Sequence, residues 1–295
     1  MEKLLQDKKT ILLFVLPGLL FFVLVVAFPL FFTVLISFFN WGVGGPQKFL
    51  VFGNYTRLFT MDDTFLQSVK NTLLLTIGCL VTQTPLAVFF GYMLRKQFRG
   101  QGFFKTAFFI PNMISSVAAA LMWSFILHPQ FGIINNLLRF AGLDSLTRTW
   151  LGDPRTALMW VVTAIAWQFF GYHMIIYLTA MQNISTEIIE AASIDGANPF
   201  QNFWKITLPL IAPIMKVDFV LIVTGSLRTF DLIYAMTSGG PNHATEVVAT
   251  HLYFRSFQGM QFGYGSSMAV ILIILCLAAT WIINMAFKKA ESSLM

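Results

Sequence analysis

Six stretches of this chain, near 11–38, 71–94, 104–127, 156–181, 212–235 and 266–287, are long, apolar and almost free of charge. A hydrocarbon core about 30 Å thick takes roughly 20 helical residues to cross, since a helix rises about 1.5 Å per residue. Lipid offers no partner to a backbone N–H or C=O, so an apolar run of this length spans as a helix, which satisfies those groups internally. The fold class that follows is all-α: a polytopic membrane protein with six transmembrane helices in one transmembrane domain over residues 1–295. Composition agrees. Apolar residues make up 57% and charged residues 11% of the 295, a balance that soluble domains rarely reach. The first stretch is not expected to be a cleaved leader. It runs well past the core of a signal peptide, about 7–15 residues, and ends in Phe38-Phe39-Asn40-Trp41 without a small-x-small site.

Lys and Arg set the expected orientation. Lys3, Lys8, Lys9, Arg95, Lys96, Arg99, Lys105, Lys205, Lys288 and Lys289 fall on one side if all six spans cross. The opposite loops are longer in total and hold Lys48, Arg57, Lys70, Arg139, Arg148, Arg155 and Arg255. The denser side is cytoplasmic by the positive-inside rule, which puts both termini there. Those membrane flanks account for the net charge of +6, so no nucleic-acid partner is needed. The turn Arg95-Lys96-Gln97-Phe98-Arg99 is expected to anchor helix ends to anionic lipid headgroups. Cys79 and Cys276 fall inside spans as small apolar filler, and His128, His173, His243 and His251 form no ligand pair at helical spacing. No metal, cofactor or catalytic residue is expected in this chain, and it is not expected to be an enzyme.

The most informative polar segment lies between the fourth and fifth stretches, within residues 183–208. Ser185 or Asn183 is placed to cap a short helix, with Glu187 and Glu190 toward its positive end. Ile184, Ile188, Ala191, Ala192 and Ile194 give that helix an apolar stripe, and the small residues lower its profile. Asp195-Gly196 ends it, because Gly takes the left-handed conformation that closes a C-terminus. Pro199 suits the first turn of a second helix, whose apolar positions are Phe200, Phe203, Trp204 and Ile206. The product is a helix-turn-helix knob on one aqueous side, shaped to be gripped. A helix lying flat in the headgroups is the alternative. Its acidic Glu187, Glu190 and Asp195, with Lys205 as the one nearby cation, argue against that.

The string Glu190-Ala191-Ala192-Ser193-Ile194-Asp195-Gly196-Ala197, with Ile206-Thr207-Leu208-Pro209-Leu210 behind it, resembles the EAA motif of ABC importer permeases. Its wording is similar to the carbohydrate-uptake branch, the maltose permease-like inner membrane components of binding-protein-dependent transport. Further similar strings are Asn71-Thr72, Arg99-Gly100-Gln101-Gly102-Phe103-Phe104, Phe109-Ile110-Pro111, Phe230-Asp231-Leu232-Ile233-Tyr234, Thr237-Ser238-Gly239-Gly240-Pro241 and Ala244-Thr245-Glu246. Thr186 stands where sugar permeases often have Pro, and the larger maltose subunit's extra outer domain has no counterpart. The resemblance implies a type I ABC importer permease fold in a bacterial or archaeal inner membrane. It implies three partners: a second permease subunit in a heterodimer, an ABC ATPase dimer and an extracytoplasmic sugar-binding protein. The knob would be the coupling helix, with Glu187, Glu190, Ala191, Ala192, Asp195 and Gly196 as its ATPase-coupling residues. The chain has no Gly-rich Lys-Ser/Thr phosphate loop, so ATP would be bound by the partner ATPase.

Polar residues at bilayer depth are costly and usually face a cavity or the bundle interior. Asn112, Trp123, Gln168, Tyr172, His173, Asp218, Arg228 and Asp231 are the candidates for a substrate pathway, with Trp160 and Trp167 as further aromatic platforms. Sugars present hydroxyls and an apolar face, which such aromatic and amide groups suit. Arg228 and Asp231, three apart, are spaced to pair structurally, with sugar contact as the second reading. The competing function is a secondary, ion-coupled transporter with Asp218 and Asp231 as relays, but no internal repeat of the kind common there is found. A membrane-embedded enzyme would want clustered His, Asp or Glu at one interface, and the acidic residues here are scattered.

Overall fold

The computed structural model describes the backbone of residues 8–292 and the side chains of 12–288. Of the cations used above for orientation, Lys3 lies outside the described residues, as do the side chains of Lys8, Lys9 and Lys289. The chain forms two compact units, one of residues 8–63 with Leu252–Ile271 and one of 64–251 with 272–292.

In the first unit, helix α1 runs over Lys8–Phe22, widens through a π-helical turn at Val23–Ala27 and resumes at Phe28–Ile36. The cause is Pro29, which has no N–H to offer. Just ahead of it the Phe28 N–H reaches five residues back to the Val23 carbonyl. A hairpin follows, β1 (Phe39–Gly42) antiparallel to β2 (Gly45–Phe49), with a register shift between Asn40 and Trp41. Helix α2 (Gly53–Thr60) is tied back by Asn54, whose amide donates to the Ser37 and Phe39 carbonyls at 2.8 and 2.9 Å. Buried Asp62 accepts from the Tyr264 hydroxyl at 2.7 Å, and Arg57 lies 4.2 Å over the Tyr264 ring. Gly263 allows the closest approach here, since a Cβ would sit 2.0 Å from the Phe39 carbonyl oxygen.

The second unit is made of helices and the loops that join them. Helix α3 (Asp63–Met93) leads to α4 (Gln101–Met113) and α5 (Ser116–Ile126). The stretch expected to cross once at 104–127 is therefore a broken pair, bent by 100°. Ile114 is extended, and the Ser115 hydroxyl accepts the Ala118 N–H at 3.2 Å to start α5. After α6 (Ile133–Phe140) comes α7 (Ala157–Gln182), the best buried of the spans. Gly171 lets α7 meet α4 backbone to backbone, since a Cβ there would stand 1.8 Å from the Phe108 oxygen.

Helices α8 (Thr186–Ile194) and α9 form the knob. Helix α9 runs over Pro199–Asn202, a π-helical turn at Phe203–Thr207 and Leu208–Leu210. The widening again precedes a proline, Pro209, and the Leu208 N–H bonds the Phe203 carbonyl. Helix α10 (Ala212–Leu227) then departs at 70° to α9. It does not continue to 235 as expected. Its last turn tightens, with Arg228 and Thr229 N–H groups bonding Gly225 and Ser226, and α11 (Asp231–Thr237) starts afresh. Helices α12 (Val248–Tyr253, then a π-helical turn at Phe254–Gln258) and α13 (Phe262–Ser292) follow, the Leu252–Ile271 part of them belonging to the first unit. Four helices are long and apolar enough to cross a membrane among the described residues, and up to six if each bent pair is one span. The apolar interior of this unit has two clusters, one around Leu75, Val161, Ile165, Ile222 and Ile233 and one around Val88, Met174, Tyr177 and Ile211.

Candidate functional site

The knob is built from local hydrogen bonds. Ser185 is its N-cap, accepting the Glu187 N–H at 3.2 Å, whereas Asn183 closes α7 instead. At the other end Gly196 sits at φ +86°. The Ala197 N–H reaches the Ala192 carbonyl at 2.9 Å and the Gly196 N–H reaches Ser193 at 3.2 Å, the paired bonds of a Schellman cap. Asn198 then opens α9 with a reciprocal capping box to Gln201, and Pro199 takes the first helical position.

Helix α8 buries none of its residues. Ile194 is 86% exposed, and on α9 Phe200 is 70% exposed. Glu187, Glu190, Ala191, Asp195 and Gly196 are exposed as well, with Ala192 half-buried. The apolar stripe expected on α8 thus faces outward. Its caps fix the elbow's shape while its faces stay available.

The intramembrane candidates divide into two groups. Trp123 meets Trp160 and Trp167 with ring centroids 6.2 and 6.0 Å apart, and the Trp123 and Trp160 indole N–H groups are buried without a partner. Buried Gln168 spends its amide N–H on the Ile114 carbonyl at 2.9 Å, the very carbonyl that the α4–α5 break sets free. Its oxygen has no partner. Asn112 is half-buried on α4. His173 and Asp218 are both buried and joined at 2.7 Å through Nδ1 and Oδ1, linking α7 to α10. Tyr177 lies beside the same carboxylate, with Thr84 beside Tyr177, and the exposed Tyr172 packs its ring against His173 at 5.1 Å.

Arg228 and Asp231 do not pair. Their spacing of three assumed one helix, and the chain breaks between them. Arg228 closes α10, its Nε donating to the Thr224 carbonyl at 3.1 Å, while Asp231 opens α11, and both side chains are exposed.

Sequence reasoning missed a second polar construction. Glu246, 3% exposed, takes the Nδ1 atoms of both His243 and His251 on its two carboxylate oxygens, the latter at 2.6 Å. Burial opposes its ionisation, but the hydrogen bonds from the two histidines outweigh that and hold the carboxyl below its ordinary value of 4.5. Asn71 on α3 donates to the His243 and Glu246 carbonyls, both at 2.9 Å, and the Thr72 hydroxyl accepts the Val248 N–H at 3.0 Å. Thr237 and Thr245 bond each other at 2.7 Å within the same turn. Asn71-Thr72 and the 237–246 string are both in the sequence pattern noted above. What the sequence did not reveal is that one holds the other.

This architecture has known counterparts. The profile of the binding-protein-dependent transport system inner membrane component matches residues 83–291. The chain belongs to that family. A probable ABC transporter permease protein, YurN of Bacillus subtilis (strain 168), is 37% identical over 287 residues, covering 96% of this chain and 97% of that one. The multiple sugar-binding transport system permease protein MsmF of Streptococcus mutans serotype c is 31% identical, covering 84% of each. A bacterial ABC transporter for import of the acidic polysaccharide alginate has the same fold, with a TM-score of 0.85, 23% identity and 98% of each chain covered. The chain is a multi-pass inner membrane transport component of all-α architecture. Family membership decides against the ion-coupled alternative.

Proposed function

We propose that this chain is one permease subunit of an ATP-driven ABC importer for a sugar or oligosaccharide. It pairs with a second permease to form the translocation pathway and couples to an ATPase dimer through the elbow at 183–208. The observation that carries this reading is the knob itself: an acidic-fronted helix, capped at both ends, with no buried residue and with Ile194 86% exposed. A helix that leaves such residues in water is prepared for another surface. Relatives named for multiple sugar-binding transport and for sulfoquinovosyl glycerol transport support a carbohydrate cargo. A related structure containing an alginate pentasaccharide-bound periplasmic protein supports delivery by an external receptor.

In this reading both termini and the knob are cytoplasmic. ATP binds to the partner ATPase, and this chain carries no cofactor and no catalytic group. Closure of the ATPase dimer drags Glu187, Glu190, Ala191, Ala192, Asp195 and Gly196 with it. The pull passes through α9 to α10, on which Asp218 is tied to His173 of α7. The Trp123, Trp160 and Trp167 cluster, with Asn112, Gln168 and Tyr172, supplies aromatic faces and amide groups suited to sugar along the pathway, and Arg228 and Asp231 stand beyond the break.

Gly196→Val tests the coupling role. A Cβ at 196 meets nothing within 4 Å, so the damage is confined to the left-handed backbone, φ +86°. Uptake by the full complex should fall at least tenfold while membrane insertion is unchanged. Normal uptake in this variant, or failure of a cysteine at 194 to cross-link to the ATPase, would refute the assignment.

A further inference from the structure

A groove of about 670 Å³ lies between the second half of α3 and α9, lined by Val88, Phe89, Tyr92, Phe200, Trp204 and Met215. Its walls are almost wholly apolar, Arg95 stands at its Tyr92 edge, and Lys205 follows the lining Trp204 in sequence. The Arg95 guanidinium lies 4.9 Å over the Tyr92 ring, and its Nη1 donates to the Thr207 hydroxyl at 3.4 Å. The Tyr92 ring in turn meets Phe203 edge-on at 4.7 Å. Lys96 is exposed one position beyond Arg95, and Lys205 is exposed on the π-helical turn of α9. Arg95 and Lys96 also border a smaller cleft that contains Glu190. No ion pair joins either to that carboxylate among the described residues.

An apolar slot with cations beside it, at the end of a spanning helix, complements one ligand chemistry: an acyl chain attached to an anionic headgroup. We propose that an anionic phospholipid occupies this groove, one acyl chain between Phe89 and Trp204 and its phosphodiester against Arg95 and Lys205. The leaflet it belongs to rests on the orientation given under Proposed function, but the site does not. Cations near a lipid surface each favour an anionic headgroup by about fivefold. A lipid here would fill the space beside the arm that joins the knob to α10. It would make the stiffness of that arm depend on lipid composition.

The full-length chain, purified in detergent, is titrated with phosphatidylglycerol or phosphatidylcholine of matched acyl chains and read by native mass spectrometry. Phosphatidylglycerol should be retained at least fivefold better. Arg95→Gln should cut that preference about fivefold while leaving phosphatidylcholine retention unchanged. Lys205→Gln, at an exposed position, should reduce the preference without risk to folding. Phe200→Gln, at a 70% exposed position, should lower retention of both lipids. Equal retention of the two lipids by the unmodified chain overturns the proposal. So does an unchanged preference in both charge variants, or displacement of the lipid by soluble glycerophosphoglycerol. None of these measurements involves the ATPase, so a failed coupling role and a failed lipid site are told apart.

Discussion

The knob at 185–202 and the clasp at 237–251 are both polar turns between helices of the same unit, yet they are made in opposite ways. The hydrogen bonds that cap the knob's helices are local, from Ser185–Glu187 to Ala197–Ala192, and Tyr92 adds one long contact of 3.5 Å to the Pro199 carbonyl. The clasp is held by Asn71 and Thr72, partners 172 to 176 positions away. Helix α8 of the knob buries no residue, while the clasp buries Glu246, Thr245, Thr250 and His251. A locally capped turn keeps its shape when it is pulled, because nothing beyond it has to break. A turn held by distant buried groups keeps its place instead. The first suits a moving lever and the second a fixed fitting.

That contrast sets the size of each expected effect. Asn71→Leu removes both long-range donors and strands the Glu246 carbonyl in a buried site, so it should cost about 3 kcal/mol. Thermal unfolding in detergent would register it as a loss of the whole helical unit, and a loss confined to 237–251 would contradict the view of the clasp as a fixed fitting. Glu246→Gln keeps the volume but loses charge-assisted acceptance from two histidines, a cost of about 2 kcal/mol. Titration should give the same group away in the native chain. Its folded pKa is depressed, so its contribution is complete above 4.5 and lost as pH falls through the lower folded value. Melting temperature measured from pH 7 down to 3 should therefore drop in the acid range for the native chain, and less so for the Gln variant. A native profile as flat as the variant's would show that the carboxylate does not carry the clasp. The smallest effect belongs to Ser185→Ala, about 1 kcal/mol and local to α8. Hydrogen exchange should quicken over 186–194 alone, and slower melting partners elsewhere should be untouched. Were Ser185→Ala to destabilise the unit as much as Asn71→Leu, the distinction between lever and fitting would collapse.

The helices and the knob were legible in the sequence because their causes are local. Apolar runs have to become helices in lipid, a Ser ahead of Glu caps a helix, and Gly196 followed by Asn198-Pro199 ends one helix and starts the next. The two breaks were harder. Residues 104–127 and 212–235 are apolar on average, and the short polar marks at Pro111-Asn112 with Ser115-Ser116 and at Arg228-Thr229 with Asp231 do not by themselves tell a break from a continuous span. At Ile114 the freed carbonyl is satisfied by Gln168, 54 residues on, and only the fold brings that amide there. The same break at Arg228 is why a spacing of three failed to make an ion pair.

Burial left a fainter mark in the sequence. The most apolar span is among the least buried: the window in α1, mean hydropathy 3.0, is 0% buried, and that in α7, mean hydropathy 1.4, is 56% buried. A central helix can hold polar groups that pair inside the protein, as Gln168 and His173 do on α7, and these lower its mean hydropathy. By itself, then, the sequence determined that the chain crosses a membrane as helices, where the elbow turns and which residues it presents, since all of these follow from transfer energies and short-range capping. Tertiary structure alone decided where two spans break, and that His173 meets Asp218 and Asn71 meets the Glu246 turn. Those outcomes depend on hydrogen-bonding groups 45 to 175 positions apart, and a buried polar atom finds its partner by position in space rather than by order along the chain.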